Sequence, residues 1–83
     1  MNKDLINNFI FFRPPFIILA SDGLWDTFSN EESVAFIKEH LNEPDFGAKS
    51  ITMQSYMRGS VDNVTVLVIV FVNGKYEIGS STT

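Results

Sequence analysis

The 83-residue chain contains no cysteine and a single histidine, His40. The first absence excludes disulfides and thiolate metal sites, and the second excludes a multi-histidine centre. A metal ion would have to be held by oxygen, which points to magnesium, manganese or calcium rather than zinc. Basic residues are also few. Six Lys and Arg are scattered among ten Asp and Glu, giving a net charge of −4. Nucleic-acid binding needs clustered positive charge, so no nucleic-acid partner is expected. Nor is there a long apolar run of membrane-spanning type. Residues 9–20 are interrupted by Arg13, Pro14 and Pro15, whereas a spanning helix needs about 20 apolar residues. The opening MNKDLINN lacks the basic and small-residue regions of a signal peptide. A soluble, cytoplasmic location is the expectation, with membrane attachment through sequence outside this chain left open.

What is present is apolar content enough to exclude disorder by composition, at 45% hydrophobic residues. The length allows one small domain. A domain near this size buries only about 60% of its unfolded surface, so marginal stability is expected.

The chain divides by pattern. Pro14-Pro15 holds the backbone extended and ends any earlier helix. Residues 16–20 form a short continuous apolar run, the pattern of a strand buried on both faces. Ser21-Asp22-Gly23 then signals a turn. Ser29 to Glu32 matches a capping box, and Val34, Ile37 and Leu41 recur at helical spacing. This predicts a helix over 30–42, stopped by Pro44. A second helix is predicted from 46 or 47 to 58. It places Ala48, Ile51, Ser55 and Arg58 on one side, with Met53, Tyr56 and Met57 adding apolar contacts. Arg58 and Gly59 form its C-terminal signal. Residues 64–72 are the strongest strand, and their near-continuous apolarity predicts that both faces are covered. Asn73-Gly74 is the preferred pair for a type I′ hairpin. Lys75 to Ile78 is read as a short return strand, and 79–83 as a frayed tail.

Two carboxylates stand out by context. Asp22 follows the first apolar strand and Asp62 precedes the second. If those strands are antiparallel neighbours, the two converge at one end of the sheet, where paired carboxylates can hold a hard divalent cation. The same residues also suit plain structural roles, since Asp-Gly and Asp-Asn are common turn and cap pairs. Spacing alone leaves both readings open.

A resemblance bears on that choice. Ala20-Ser21-Asp22-Gly23-Leu24-Trp25-Asp26 is similar to the A-S-D-G-L-W-D segment of the protein phosphatase 2C (PPM-type) family. About forty residues on, Gly59-Ser60-Val61-Asp62-Asn63-Val64-Thr65 resembles that family's G-S-x-D-N-[IV]-T segment. Asn30-Glu31-Glu32 and Ala48-Lys49-Ser50 fit between them in order. The likeness covers about residues 16–71 and is nearest to the family's 1L-type branch.

The resemblance implies an α+β fold, a partial PPM-type β-sandwich flanked by helices. The implied divisions are an unmatched segment at 1–15, the carboxyl-terminal part of a phosphatase domain at 16–72, and a hairpin or tail at 73–83. It also implies dephosphorylation of phosphoserine and phosphothreonine proteins by metal-activated water, with two Mn2+ or Mg2+ ions in the complete domain. Asp22 and Asp62 correspond to ligands of one ion. The family's D-G-H-G-G motif, with its bridging aspartate, is absent here, as are its phosphate-gripping arginine and its histidine acid. No catalytic residue is therefore assigned within the chain, and the 83 residues are expected to be a fragment inactive alone. His40 is read as a partly exposed helix residue, and Arg13 is not assigned to phosphate. Trp25 and Phe28 are read as packing residues, Asp26 as a turn or hydrogen-bonding residue, and Asn63 as a residue orienting the Asp62 loop. Met53 and Met57 are read as helix packing. The sequon Asn63-Val64-Thr65 is inert in a cytosolic chain. The alternatives are a noncatalytic binding module that pairs its sheet with another chain, or an unstable truncated product.

Overall fold

The structure, a computed structural model, describes residues 16–83. The readings for 1–15, including extended Pro14-Pro15 and Arg13, lie outside the described residues. The elements run β1 (Phe16–Ala20), α1 (Asp22–Trp25), α2 (Asn30–Glu39), α3 (Ala48–Met57), β2 (Thr65–Val72) and β3 (Lys75–Thr82). They build a three-stranded antiparallel sheet, ordered β1-β2-β3, with the helices on one face. This is an α+β arrangement consistent with part of a phosphatase 2C domain.

β1 and β2 are adjacent and antiparallel, with Phe16 opposite Val70 and Ala20 opposite Val66. Side chains alternate across a strand, and the core uses one phase of that alternation. Phe16 and Ile18 of β1 and Val66, Val68 and Val70 of β2 pack beneath Leu24, Phe28, Ile37, Ala48 and Ile51. Each fully buried Ile, Leu or Val contributes about 1.5–3 kcal/mol. The other phase differs from the sequence reading. Ile17, Leu19, Leu67 and Ile69 are only half-buried, and Phe71 is exposed. Among the described residues one face of each strand is covered, not two.

The capping box forms as predicted. The Glu32 amide donates to Ser29 Oγ at 3.1 Å, and the Ser29 amide donates to Glu32 Oε1 at 3.0 Å. The helix ends at Glu39, earlier than the predicted 42. The reason lies in His40, whose ring stacks on Phe36 with centroids 4.1 Å apart. Its Nδ1 sits 2.6 Å from the Phe36 carbonyl oxygen, the acceptor the His40 amide would use in a continuing helix. That amide bonds to Ile37 instead, tightening the last turn.

α3 begins after Gly47, its N-cap, and the Asp45 carboxylate two residues earlier accepts from the Gly47 and Lys49 amides at 3.2 and 3.0 Å. Ala48, Ile51 and Ser55 of the predicted face are buried, joined by Thr52, whereas Arg58, placed on the same face, is exposed. Met53, Tyr56 and Met57, read as packing residues, are instead exposed. One helix face suffices to cover the sheet, and theirs points away from it.

The hairpin at Asn73-Gly74 has the predicted form, with φ of 52° and 75°. β3 is longer than the expected return strand and takes in most of the expected tail. It pairs with β2 to its end, Thr82 opposite Thr65. The Thr83 amide donates to the Val64 carbonyl, and the Val64 amide donates to Thr83 Oγ1. Among the described residues no helix is long and apolar enough to cross a membrane.

Candidate metal-binding site

Antiparallel pairing brings the end of β1 and the start of β2 to the same edge. Asp22 opens α1, two residues after the end of β1, and Asp62 lies in the loop that leads into β2. Both are exposed. Among the described residues, neither carboxylate takes part in a side-chain hydrogen bond or ion pair.

Ser21-Asp22-Gly23, read as a turn, is the start of a single helical turn. It stays tight because Gly23 lacks a side chain. A Cβ there would lie 2.5 Å from the Asn63 carbonyl oxygen, closer than packing permits. The loop carrying Asp62 therefore lies directly against the turn carrying Asp22.

Hydrogen bonds join the two segments on both sides of each aspartate. The Ser21 amide donates to the Thr65 carbonyl at 3.0 Å, and the Thr65 amide donates to Ser21 Oγ at 3.0 Å. Ser21 Oγ also donates to the Asn63 carbonyl at 3.2 Å. On the other side, Ser60 Oγ donates to the Gly23 carbonyl at 3.0 Å and lies 3.3 Å from the Asp62 carbonyl. Buried Ser55 Oγ reaches the same Gly23 carbonyl at 3.2 Å. The sequence reading missed Ser21, Ser55 and Ser60. The motifs contain two of them, but partners about forty positions away are not visible along a chain.

The neighbours behave largely as read. Phe28 is buried, while Trp25 is half-buried and donates from Nε1 to the Ala20 carbonyl at 3.1 Å. Asp26 closes α1 with its backbone amide. Asn63 contributes its carbonyl to the junction. Arg58 lies 3.9 Å over the Phe28 ring, donates to the Thr27 carbonyl at 2.8 Å and pairs with Glu32 at 3.5 Å. It thereby ties the end of α3 to the segment behind the site. Glu32 is held below its ordinary pKa of 4.5, chiefly by the Ser29 amide and further by Arg58.

The donor chemistry fits a hard cation, because both candidate ligands are carboxylates. Two are fewer than the six or more oxygens such a cation takes. Among the described residues no group of three or more His, Cys, Asp or Glu is placed to hold a metal ion.

The protein phosphatase 2C family model matches residues 14–64, more than half of the chain. The chain belongs to the protein phosphatase 2C family. That match spans the segment that carries both Asp22 and Asp62. Protein phosphatase 1L of Bos taurus is 66% identical over 61 residues, which cover 74% of this chain and 17% of that protein. Probable protein phosphatase 2C 59 of Arabidopsis thaliana is 52% identical over 69 residues, covering 82% of this chain and 22% of the relative. Probable protein phosphatase 2C 71 of the same plant is 50% identical over 60 residues, 72% of this chain and 13% of its own length. The chain thus spans only 13–22% of the length of these curated relatives. No solved structure matches it.

Proposed function

We propose that this segment is the carboxyl-terminal part of a metal-dependent protein serine/threonine phosphatase, acting on phosphoserine and phosphothreonine proteins. The observation that carries the reading is the junction of the Asp22 and Asp62 segments at one sheet edge, inside the stretch matched by the phosphatase 2C model. Asp22 and Asp62 would contribute charged oxygens to hold Mn2+ or Mg2+. Such an ion, when bound, lowers the pKa of water and neutralises phosphate charge. The chain's own part is to present two carboxylates at one end of the sheet and to leave them accessible. Two carboxylates alone make a weak site, because affinity for hard cations rises with ligand number and charge. The 83 residues by themselves are therefore expected to be inactive.

Two assays test this. In a complete phosphatase domain carrying the segment, Asp22→Asn or Asp62→Asn should cut turnover of a phosphothreonine peptide severely. Activity that survives both substitutions at ordinary manganese concentrations refutes the assignment. The chain alone, with millimolar manganese, should show no turnover above its Asp22→Asn/Asp62→Asn control.

A second reading is a noncatalytic binding module. The apolar, half-open sheet face of Ile17, Leu19, Leu67, Ile69 and Phe71 favours it. The same double substitution separates the two, since a binding module keeps its partner while a metal site loses its ion.

A further inference from the structure

The hydroxyl groups of Ser21 and Ser60 each cross from one aspartate's segment to the other's. Ser21, next to Asp22, bonds Asn63 and Thr65, on the far side of Asp62. Ser60, on the near side of Asp62, bonds Gly23, the residue after Asp22. The two aspartates are thus bracketed by reciprocal bonds, and the missing side chain of Gly23 lets the segments close on each other. We infer that Ser21 and Ser60 are positioning residues that fix the separation of the Asp22 and Asp62 carboxylates. The inference rests on the proposed metal-binding reading, in which that separation decides whether one cation can take both.

The physical argument is one of ordering. Asp22 and Asp62 are exposed on segments that lie against each other, and like charges brought together repel when no cation lies between them. Without a restraint the Ser60–Asn63 loop would relax away, and binding would have to supply the ordering free energy. The cross-bonds make that restraint a standing feature of the fold. Each involves a backbone carbonyl or amide, so the restraint acts on the main chain that carries each carboxylate and leaves the carboxylate oxygens open. Ser55 supports the arrangement from below through the Gly23 carbonyl and through its own carbonyl, which accepts from the Ser60 amide at 3.2 Å.

The chain has no cysteine, so paired nitroxide labels at Asp22→Cys and Asp62→Cys report the separation without background. The labelled 83-residue chain should show a narrow distance distribution, and adding Ser21→Ala/Ser60→Ala should broaden it while the circular dichroism spectrum is retained. Ser60→Thr keeps the hydroxyl and should restore the narrow distribution, and Ser29→Ala, which removes a helix cap elsewhere, should leave it unchanged. Ser60→Ala alone, which leaves every Ser21 bond intact, serves if the double variant unfolds and should broaden the distribution less. With Asp22 and Asp62 in place, Ser21→Ala/Ser60→Ala should weaken Mn2+ binding about 10–100-fold, by analogy with groups that orient metal ligands. A distribution that stays narrow without the hydroxyls, or an unchanged Mn2+ affinity, overturns the inference. If the unsubstituted chain binds Mn2+ no better than Asp22→Asn/Asp62→Asn, the metal reading of this chain fails, and the label distances still decide the role of the serines.

Discussion

Val66, Val68 and Val70 face the helices and are at most 9% exposed, whereas Phe71, on the opposite face of the same strand, is 47% exposed. Leu67 and Ile69 beside it are only half-buried. The two faces of β2 are almost equally apolar, and continued across β1 the same contrast sets Phe16 and Ile18 against Ile17 and Leu19. Surface area buried from water, not residue type, separates them. A sheet facing water on one side normally alternates apolar with polar residues. This one does not. Its outer face has the chemistry of an interior and only part of the cover, which suits a sheet that forms one layer of a larger sandwich.

The largest expected effect tests that idea. Leu67→Lys should cost about 3–5 kcal/mol in a complete phosphatase domain, as an unpaired charge buried between layers. In the 83-residue chain it should change stability by less than about 1 kcal/mol. Equal effects in the two settings, read by urea unfolding, would show that the outer face has no second layer. Next comes a direct comparison of faces within the chain. Ile18→Ala should destabilise by about 2–5 kcal/mol, through lost transfer energy and the cavity left behind. Ile17→Ala, one residue away, should cost less than about 1 kcal/mol. Similar costs would erase the distinction between faces.

Two smaller effects sharpen the comparison by leaving both faces untouched. Ser29→Ala removes the α2 cap and should cost about 1 kcal/mol, with the outer face's solvent exposure unchanged by hydrogen exchange. The smallest is a pH effect. The folded-state pKa of Glu32 lies below its ordinary value of 4.5, so the unfolded chain takes up this proton first as pH falls. The stability it contributes is present above about 4.5 and is lost as pH drops through the folded value. Glu32→Gln should flatten that acid limb, and an unchanged limb in acid titrations would assign it to other carboxylates.

Much of this was legible along the chain. The capping box needs only local hydrogen bonds three residues apart, so Ser29 and Glu32 declare it directly. The type I′ turn needs two positive φ angles, which Asn73 and Gly74 tolerate. Asp22 and Asp62 were picked out because each flanks an apolar strand. The end of β3 was not legible. Gly79, Ser80, Ser81 and Thr82 carry no strand pattern, and they are held by the full-length β2 partner that lies opposite. Nor was the exposure of Met53, Tyr56 and Met57. Their apolar character suggested packing, but the sheet takes only the Ala48, Ile51 and Ser55 side of α3.

Composition and local pattern were enough to restrict any metal to oxygen ligands, to set the order of the strands and the two longer helices, and to bring out the two family motifs. Those features depend on residue chemistry and on interactions within a few positions, which a linear sequence records. The fold alone decided that one sheet face is covered, and that Ser21 and Ser60 cross-link the Asp22 and Asp62 segments. Those contacts join residues about forty positions apart, and only chain packing selects which distant backbone carbonyl a serine hydroxyl will meet.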